Sequence, residues 1–564
     1  MISKLIKLIS IYSLILFFQN IYSSESLAQV DFTEKNVSSY FSGSISLNSN
    51  NDSEAVKYYN LSKKLKETHK NYVQNYIISL VLNGKVDRSI SELKLLQNQK
   101  FSNFFEFYLL LILEDIKKNN FQKAFSKLDN LEFFEKKGTY EFIIFRTLKR
   151  YLELFKNKKY DSKEIAELGK IEKITSAFQK CYLNDPDTSN SFIKIVNSGE
   201  NDFSRYLFFY INHKISKGKF KTAAEQVLKV NFLNSNLITA QTKQWVEEKN
   251  YKNFNDIFSC TNHNHLIGEF LYLIANLYSS EGYYKESNFY LNLSFYMNQK
   301  FNFNRTLLLD NYLDLDKIDE AKKIINRFKK KNQSYYWYAL KKKTNILIEK
   351  QGDKAAFKFI TSEYSKINKP SIKLKYDLAN FAKNAEMYEV SIKYYSEILN
   401  EIDSQSNLYA KVLYRRGGSF ERLGNYIKAD DDLLNSLTIN PDDPYVMNYL
   451  GYSWLERNYQ IDKAFSLLEK ANKKKKDDPY ITDSIGWAYY LTGDYVKAEI
   501  FIRKAVLLMP NDPIVNDHYG DILWRLGRKI EARYFWKSVL KLEETELEMK
   551  KKIDQKLLLG LSNV

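Results

Sequence analysis

A chain of 564 residues that sets 85 Lys and Arg against 68 Asp and Glu carries a formal charge of +17. That length exceeds one ordinary globular core, while the scarcity of Gly (18) and Pro (7) leaves long helices nearly uninterrupted. The positive excess is mostly lysine spread among Asn, Ile, Tyr and Phe, with arginine, the better phosphate and base reader, sparse; this argues against a nucleic-acid track.

Residues 1–28 read as a signal peptide. Lys4 and Lys7 precede an apolar stretch from Leu8 to Phe18, and Ser26-Leu27-Ala28 offers small residues for cleavage after Ala28. The apolar run is short for a spanning helix; an uncleaved anchor is the alternative and would be the chain's one membrane contact. No cysteine lies near the cleavage site, so a lipoprotein anchor is not expected. The mature chain is expected to be exported and periplasmic.

Residues 29–135 carry weak repeat marks: Ala55, Ser89 and Ala124 recur at 34 and 35 residues, with Gly43, Gly84 and Phe121 in support. Between 136 and 265 this register is lost except around Gly218-Lys219-Phe220 and Ala223, although the pattern stays helical. One or two distorted repeats are expected there. Cys181 and Cys260 fall in this stretch, 79 residues apart. An exported chain permits a disulfide between them, and two separate buried thiols are the alternative. His263, His265 and Glu269 form the one local group of ligand-type residues. The helix that follows is expected over Leu266–Tyr278, leaving both imidazoles in the loop before it. A loop-and-cap role suits them better than a metal site.

From 266 to 400 small residues recur at Ser287, Ala321, Ala355 and Ser391, at intervals of 34, 34 and 36. The clearest repeats lie in 401–545. Gly417, Gly451, Gly486 and Gly520 stand 34, 35 and 34 residues apart, followed by Ala429, Ala464, Ala498 and Ala532 at 35, 34 and 34. Pro441, Pro444, Pro479, Pro510 and Pro513 all fall between these units, where a helix has to stop. The run Lys473–Lys476 sits at such a turn and reads as a solvated one. A helical tail is expected over 546–564. In total the spacing predicts about ten or eleven helical hairpins.

The unit from Tyr480 to about Asn511 resembles the tetratricopeptide repeat: Gly486, Tyr489, Gly493, Tyr495, Ala498, Ile502, Ala505 and Pro510 fill its signature positions. The resemblance implies an all-α solenoid of tetratricopeptide type, a right-handed superhelix of helical hairpins. It also implies that the first helix of each unit lines an inner groove, to which the repeat register assigns Tyr414, Glu421 and Arg422; Tyr445, Asn448, Tyr452 and Leu455; Tyr480, Asp483, Trp487 and Tyr490; and Asp517, Asp521, Trp524 and Arg525. Repeat proteins that hold a partner's terminal carboxylate use Lys, Arg and Asn in this groove. The residues assigned here are mainly aromatic and acidic, which suits an extended or helical peptide with Tyr and Trp anchors. Asp483 and Asp517 either face that partner or satisfy neighbouring helices across the stack.

The stretches 449–455, 483–490 and 516–528 further resemble a family of exported bacterial repeat proteins that includes the lipoprotein adaptor of a periplasmic carboxyl-terminal processing protease. The segment concerned spans about 445–540, and the lipobox cysteine of that adaptor is missing.

No nucleotide loop is present, since Lys217-Gly218-Lys219-Phe220 lacks the spacing and the hydroxyl residue of a phosphate cradle; HExxH and GxSxG are absent too. His518 reads as packed or hydrogen-bonded rather than catalytic. The sequence therefore points to a non-enzymatic scaffold or adaptor without cofactor or metal. Its expected partners are proteins or peptides, not nucleic acid or a small-molecule substrate, and its setting is cell-envelope assembly or proteolysis. The alternative is a structural subunit of an inner-membrane-associated export or polysaccharide machine.

Overall fold

A computed structural model describes residues 33–67, 69–95, 103–134, 136–160, 165–198, 205–228, 230, 236–330, 332–543 and 545–561. The signal segment expected at 1–28 lies outside the described residues. Among the described residues there are thirty α-helices and no strand, and no helix is long and apolar enough to cross a membrane. The chain divides into two compact units, one ending at Lys343 and one beginning at Thr344.

In the second unit the repeat chemistry is visible residue by residue. Helices Pro444–Glu456, Pro479–Leu491 and Pro513–Arg525 each begin with proline, after Asp443, Asp478 and Asp512. Each of these aspartates accepts the two N–H groups after the proline, at 3.0 and 3.3 Å, 3.1 and 3.1 Å, and 2.9 and 3.0 Å respectively. Pro444, Pro479 and Pro513 therefore start helices where the sequence reading had them mark a stop. Proline has no N–H, and the first helical position needs none. Each hairpin then reverses at a residue with positive φ, namely Gly424, Gly493 and Gly527, with Asn458 in the same place in the unit between.

The two helices of a hairpin close on small residues. Ala429, Ala464, Ala498 and Ala532 are fully buried. A Cβ on Gly486 would come 2.6 Å from Ile502, and one on Gly451 would come 2.8 Å from the Ala464 carbonyl. Successive first helices touch: Pro479–Leu491 contacts both Pro444–Glu456 and Pro513–Arg525. The second helices, Ile461–Lys474, Tyr495–Leu508 and Lys529–Val539, are splayed farther apart. The first helices thus form the inner, shorter side of the stack.

The tail folds as helix Leu547–Leu559, which begins 34 residues after Pro513 and has the same 13-residue length as Pro513–Arg525. It occupies the place of a next first helix and buries Ile553 against Trp536 and Leu523, as a terminal cap on a repeat array must.

In the first unit hairpins pack on more than their neighbours in sequence. Helix Tyr284–Met297 packs on Lys70–Leu82, and Asn292 Nδ2 donates to the Leu82 carbonyl at 3.2 Å. Lys285 Nζ reaches the Leu47 carbonyl at 3.1 Å, and Lys317 Nζ pairs with Asp52 at 3.3 Å. The early hairpins thus close against helices more than 200 residues later. Short-period marks cannot encode this, because each such contact depends on single side chains.

The stretch between 136 and 265 holds more helices than one or two repeats require. It contains helices Tyr140–Asn157, Lys170–Tyr182, Thr188–Val196, Arg205–Ser216, Phe220–Leu228, Leu237–Glu247 and Lys252–Ile257. Several are too short to carry a full set of marks, and this accounts for much of the excess over ten or eleven hairpins. Cys181 and Cys260 are joined by a disulfide, with Cα atoms 5.6 Å apart. It ties the end of Lys170–Tyr182 to the turn before helix His263–Ser280.

Candidate functional site

The ligand-type group in the first unit is dispersed. Helix His263–Ser280 starts at His263, three residues before the expected Leu266, because Asn262 caps it by accepting the Asn264 N–H at 2.9 Å. The His263 ring lies edge-on to Phe121 and Phe155. His265 Nδ1 accepts the Ser259 N–H at 3.0 Å. Burial first, with Lys300 and His263 adding, pulls its imidazole down to about 4. Glu269 faces elsewhere and takes the Arg205 guanidinium in two bonds of 2.8 and 2.5 Å. Arg205 also donates to Asn304 and lies over Tyr272 and Phe303. This buried pair is a packing element, each charge satisfied by the other. Among the described residues no group of three metal-ligating side chains occurs.

The inner face of the second unit is where side chains from several helices converge. At its C-terminal end the assigned residues are committed to one another. Asp483 faces His518 Nδ1 at 2.9 Å, both buried. Burial pulls the His518 imidazole down, but the charge and hydrogen bond of Asp483, with Asp517 and Asp521 behind, outweigh it and leave it raised. Trp487 is stacked between His518 at 3.9 Å and Tyr490 at 4.5 Å, and its Nε1 donates to Glu456 at 2.8 Å.

One turn along, Lys556 of the tail helix donates to Asp517 at 2.6 Å and to both oxygens of Asp521 at 2.8 Å. Trp536 Nε1 donates to Asp521 at 3.0 Å. Burial, and then the Asp517 charge, push the Asp521 carboxyl up to about 6 despite Lys556. Trp524 packs on Trp536 at 5.4 Å, and Gly560 closes over it so tightly that a Cβ there would come 2.0 Å from the indole. Arg525 bonds to the Tyr490 hydroxyl.

The acidic character read for this groove is therefore not presented outward. Asp483, Asp517 and Asp521 satisfy neighbouring helices across the stack, because a carboxylate at these depths must find a cation or lose its charge.

The open part of the face lies toward the N-terminal side. Tyr445 and Tyr480 are 47% and 63% exposed. Tyr414 is edge-on to Tyr449 at 5.8 Å, and Tyr449 donates to Glu421 at 2.9 Å. Arg422 stands 3.8 Å from Glu421 with most of its side chain in solvent. Tyr452 is half-buried, and burial followed by the Glu456 charge raises its phenol. Asn448 is half-buried and its Oδ1 is shielded from solvent without a hydrogen-bond partner. Leu455 belongs to the core.

The sequence reading passed over Lys383, Gly418, Tyr449, Glu456 and Lys556 on this face, and read His518 as packed or hydrogen-bonded, as it is. Lys383 was findable: Ser391 marks its hairpin, and the same register places Lys383 in line with Glu421, Leu455, Tyr490 and Trp524. Lys556 was not, because the tail lacks the repeat's small residues.

No family model matches the chain. A TPR repeat-containing protein of Pseudomonas aeruginosa is 34% identical over 110 residues, which is 20% of this chain and 18% of that protein. The chain thus matches about a fifth of that relative's length. Among solved structures, a thermophilic TPR protein of Thermus thermophilus shares 19% identity at a TM-score of 0.30, covering 34% of this chain and 100% of that one. A tetratricopeptide repeat protein of Parabacteroides merdae shares 16% at 0.31, covering 39% and 87%. MamA of Desulfovibrio magneticus shares 21% at 0.27, covering 31% and 97%. The fold is an all-α solenoid of tetratricopeptide type.

Proposed function

We propose that the second unit binds an extended segment of a protein partner along its inner face, and that the chain acts as an exported adaptor in cell-envelope assembly or turnover. The observation that carries this reading is the pair Tyr445 and Tyr480, standing in solvent at equivalent places on adjacent first helices. Such half-free tyrosines lose little rotamer freedom on binding and supply amphipathic contact area. The disulfide supports export, since such bonds persist in oxidising compartments.

The test is a photo-crosslinking residue at Tyr480 in the intact chain, expressed in its source cell. Envelope proteins are expected in the adducts. Adducts to nucleic acid alone, or none from Tyr480 and Tyr445 alike, overturn the reading. Alkylation of protein taken from the cell tests the export: Cys181 and Cys260 should resist modification until reductant is added.

A further inference from the structure

Three first helices meet at Gly418. A Cβ built there would stand 2.8 Å from Lys383 Nζ, from helix Ile372–Asn384, and 3.3 Å from Tyr449 Oη, from helix Pro444–Glu456. Gly418 itself lies in helix Asn407–Arg422, in line with Tyr452, Trp487 and Asp521. Where its equivalents carry large or charged side chains, the buried Gly418 leaves a notch, and the Lys383 ammonium and the Tyr449 phenol fill it.

The charges around the notch do not balance. Glu421 is the nearby carboxylate, and it already receives the Tyr449 hydroxyl at 2.9 Å with Arg422 at 3.8 Å. Among the described residues no carboxylate lies within ion-pairing distance of Lys383. Arg415 and Arg422 add two more positive charges. Burial first, then those two guanidiniums, pull the Lys383 ammonium down to about 8, with Glu421 opposing. A cation held among cations, half-buried and without a counter-ion, gains most from an added anion.

We propose that the half-buried Lys383 ammonium seated in the Gly418 notch receives an acidic side chain, Asp or Glu, from within the bound protein segment. This rests on the inner face being a peptide site and adds what that peptide must carry. Arg422 stands at the rim and draws the anion in, while Tyr445 and Tyr480 take the residues that follow. The notch lies between the first helices before and after it.

The experiment selects C-terminally amidated dodecapeptides from a random library against the intact chain and measures affinities by fluorescence anisotropy. Selected peptides are expected to share an Asp or Glu. Its change to the amide should weaken binding to the native chain at least tenfold, as for one partner of a desolvated charge pair, and less than twofold to Lys383→Met. Gly418→Ala, which keeps every charge and displaces the Lys383 ammonium from the notch, should lose affinity in step with Lys383→Met while circular dichroism stays unchanged. Selected peptides without an acid, or an equal amide effect in Lys383→Met, overturn the inference and leave the peptide site standing. Peptides that lack internal acids but bind through a free carboxyl terminus at Lys383 overturn it too, as does competition at Lys383 by a 20-nucleotide single strand alone. If no peptide is selected, the peptide site fails and the inference with it.

Discussion

Asp483 and His518 form the one buried carboxylate–imidazole pair on the inner face, and Trp487 covers it. Because the imidazole is raised in the folded chain, its protonated form stabilises the fold below the ordinary histidine value. That contribution is lost as pH rises through the folded value. With five histidines in the chain, carbon-13 labelling of the imidazoles resolves each by NMR. The titration midpoint of His518 should lie above that of free histidine in the native chain and fall in Asp483→Asn, where only Asp517 and Asp521 still oppose burial. A midpoint that ignores the substitution would show the pair to be unformed in solution. At this scale the sequence was half legible. It assigned Asp483 and Trp487 to the groove and read His518 as packed or hydrogen-bonded, but the register cannot say that Asp483 of one helix meets His518 of the next.

At the scale of elements, the tail helix decides how the stack ends. Lys556 holds Asp517 and Asp521, whose side chains are 17% and 8% exposed. Lys556→Met keeps the length and the apolar stem but leaves two buried carboxylates without a cation. The expected cost is about 3 kcal/mol, the magnitude of breaking a buried pair from one side. Urea unfolding followed by the tryptophans checks it, since Trp454, Trp487, Trp524 and Trp536 all lie in the second unit. The deficit should shrink as pH falls from 7 toward 4. The raised Asp521 carboxyl then takes up a proton and no longer needs the ammonium. An unchanged midpoint at pH 7 would argue that the tail does not dock as described. The hairpins themselves were the most legible elements, because Gly486 against Ile502 and the aspartate before each initial proline are local chemistry repeated at a fixed interval. The tail was readable only as helical, since a cap buries one face and copies none of the signature.

At the scale of the molecule the two units are built on different principles. The second is a linear stack, so its stability is close to a sum of neighbouring terms. The first is closed by Asp52–Lys317 and Leu82–Asn292 and stapled by Cys181–Cys260. Cross-linking across 79 residues removes loop-closure freedom from the unfolded chain worth about 4 kcal/mol in the chain-entropy account. Dithiothreitol should therefore lower the unfolding temperature of the first unit, followed through Trp245 and Trp337, and leave that of the second unchanged. Equal effects on both would contradict the division. Periodicity made the second unit legible down to its turns, whereas the closure of the first depends on isolated residues such as Asn292 and Lys285.

The pairing of Asp52 with Lys317 also fixes an order of events during synthesis. The two are separated by 265 residues, so at ordinary ribosomal rates the N-terminal hairpins wait on the order of tens of seconds for their covering helices to be made. Hairpins of the second unit need only the next 34 or so residues. The nascent first unit therefore spends that interval with the side of Lys70–Leu82 that meets Tyr284–Met297 uncovered.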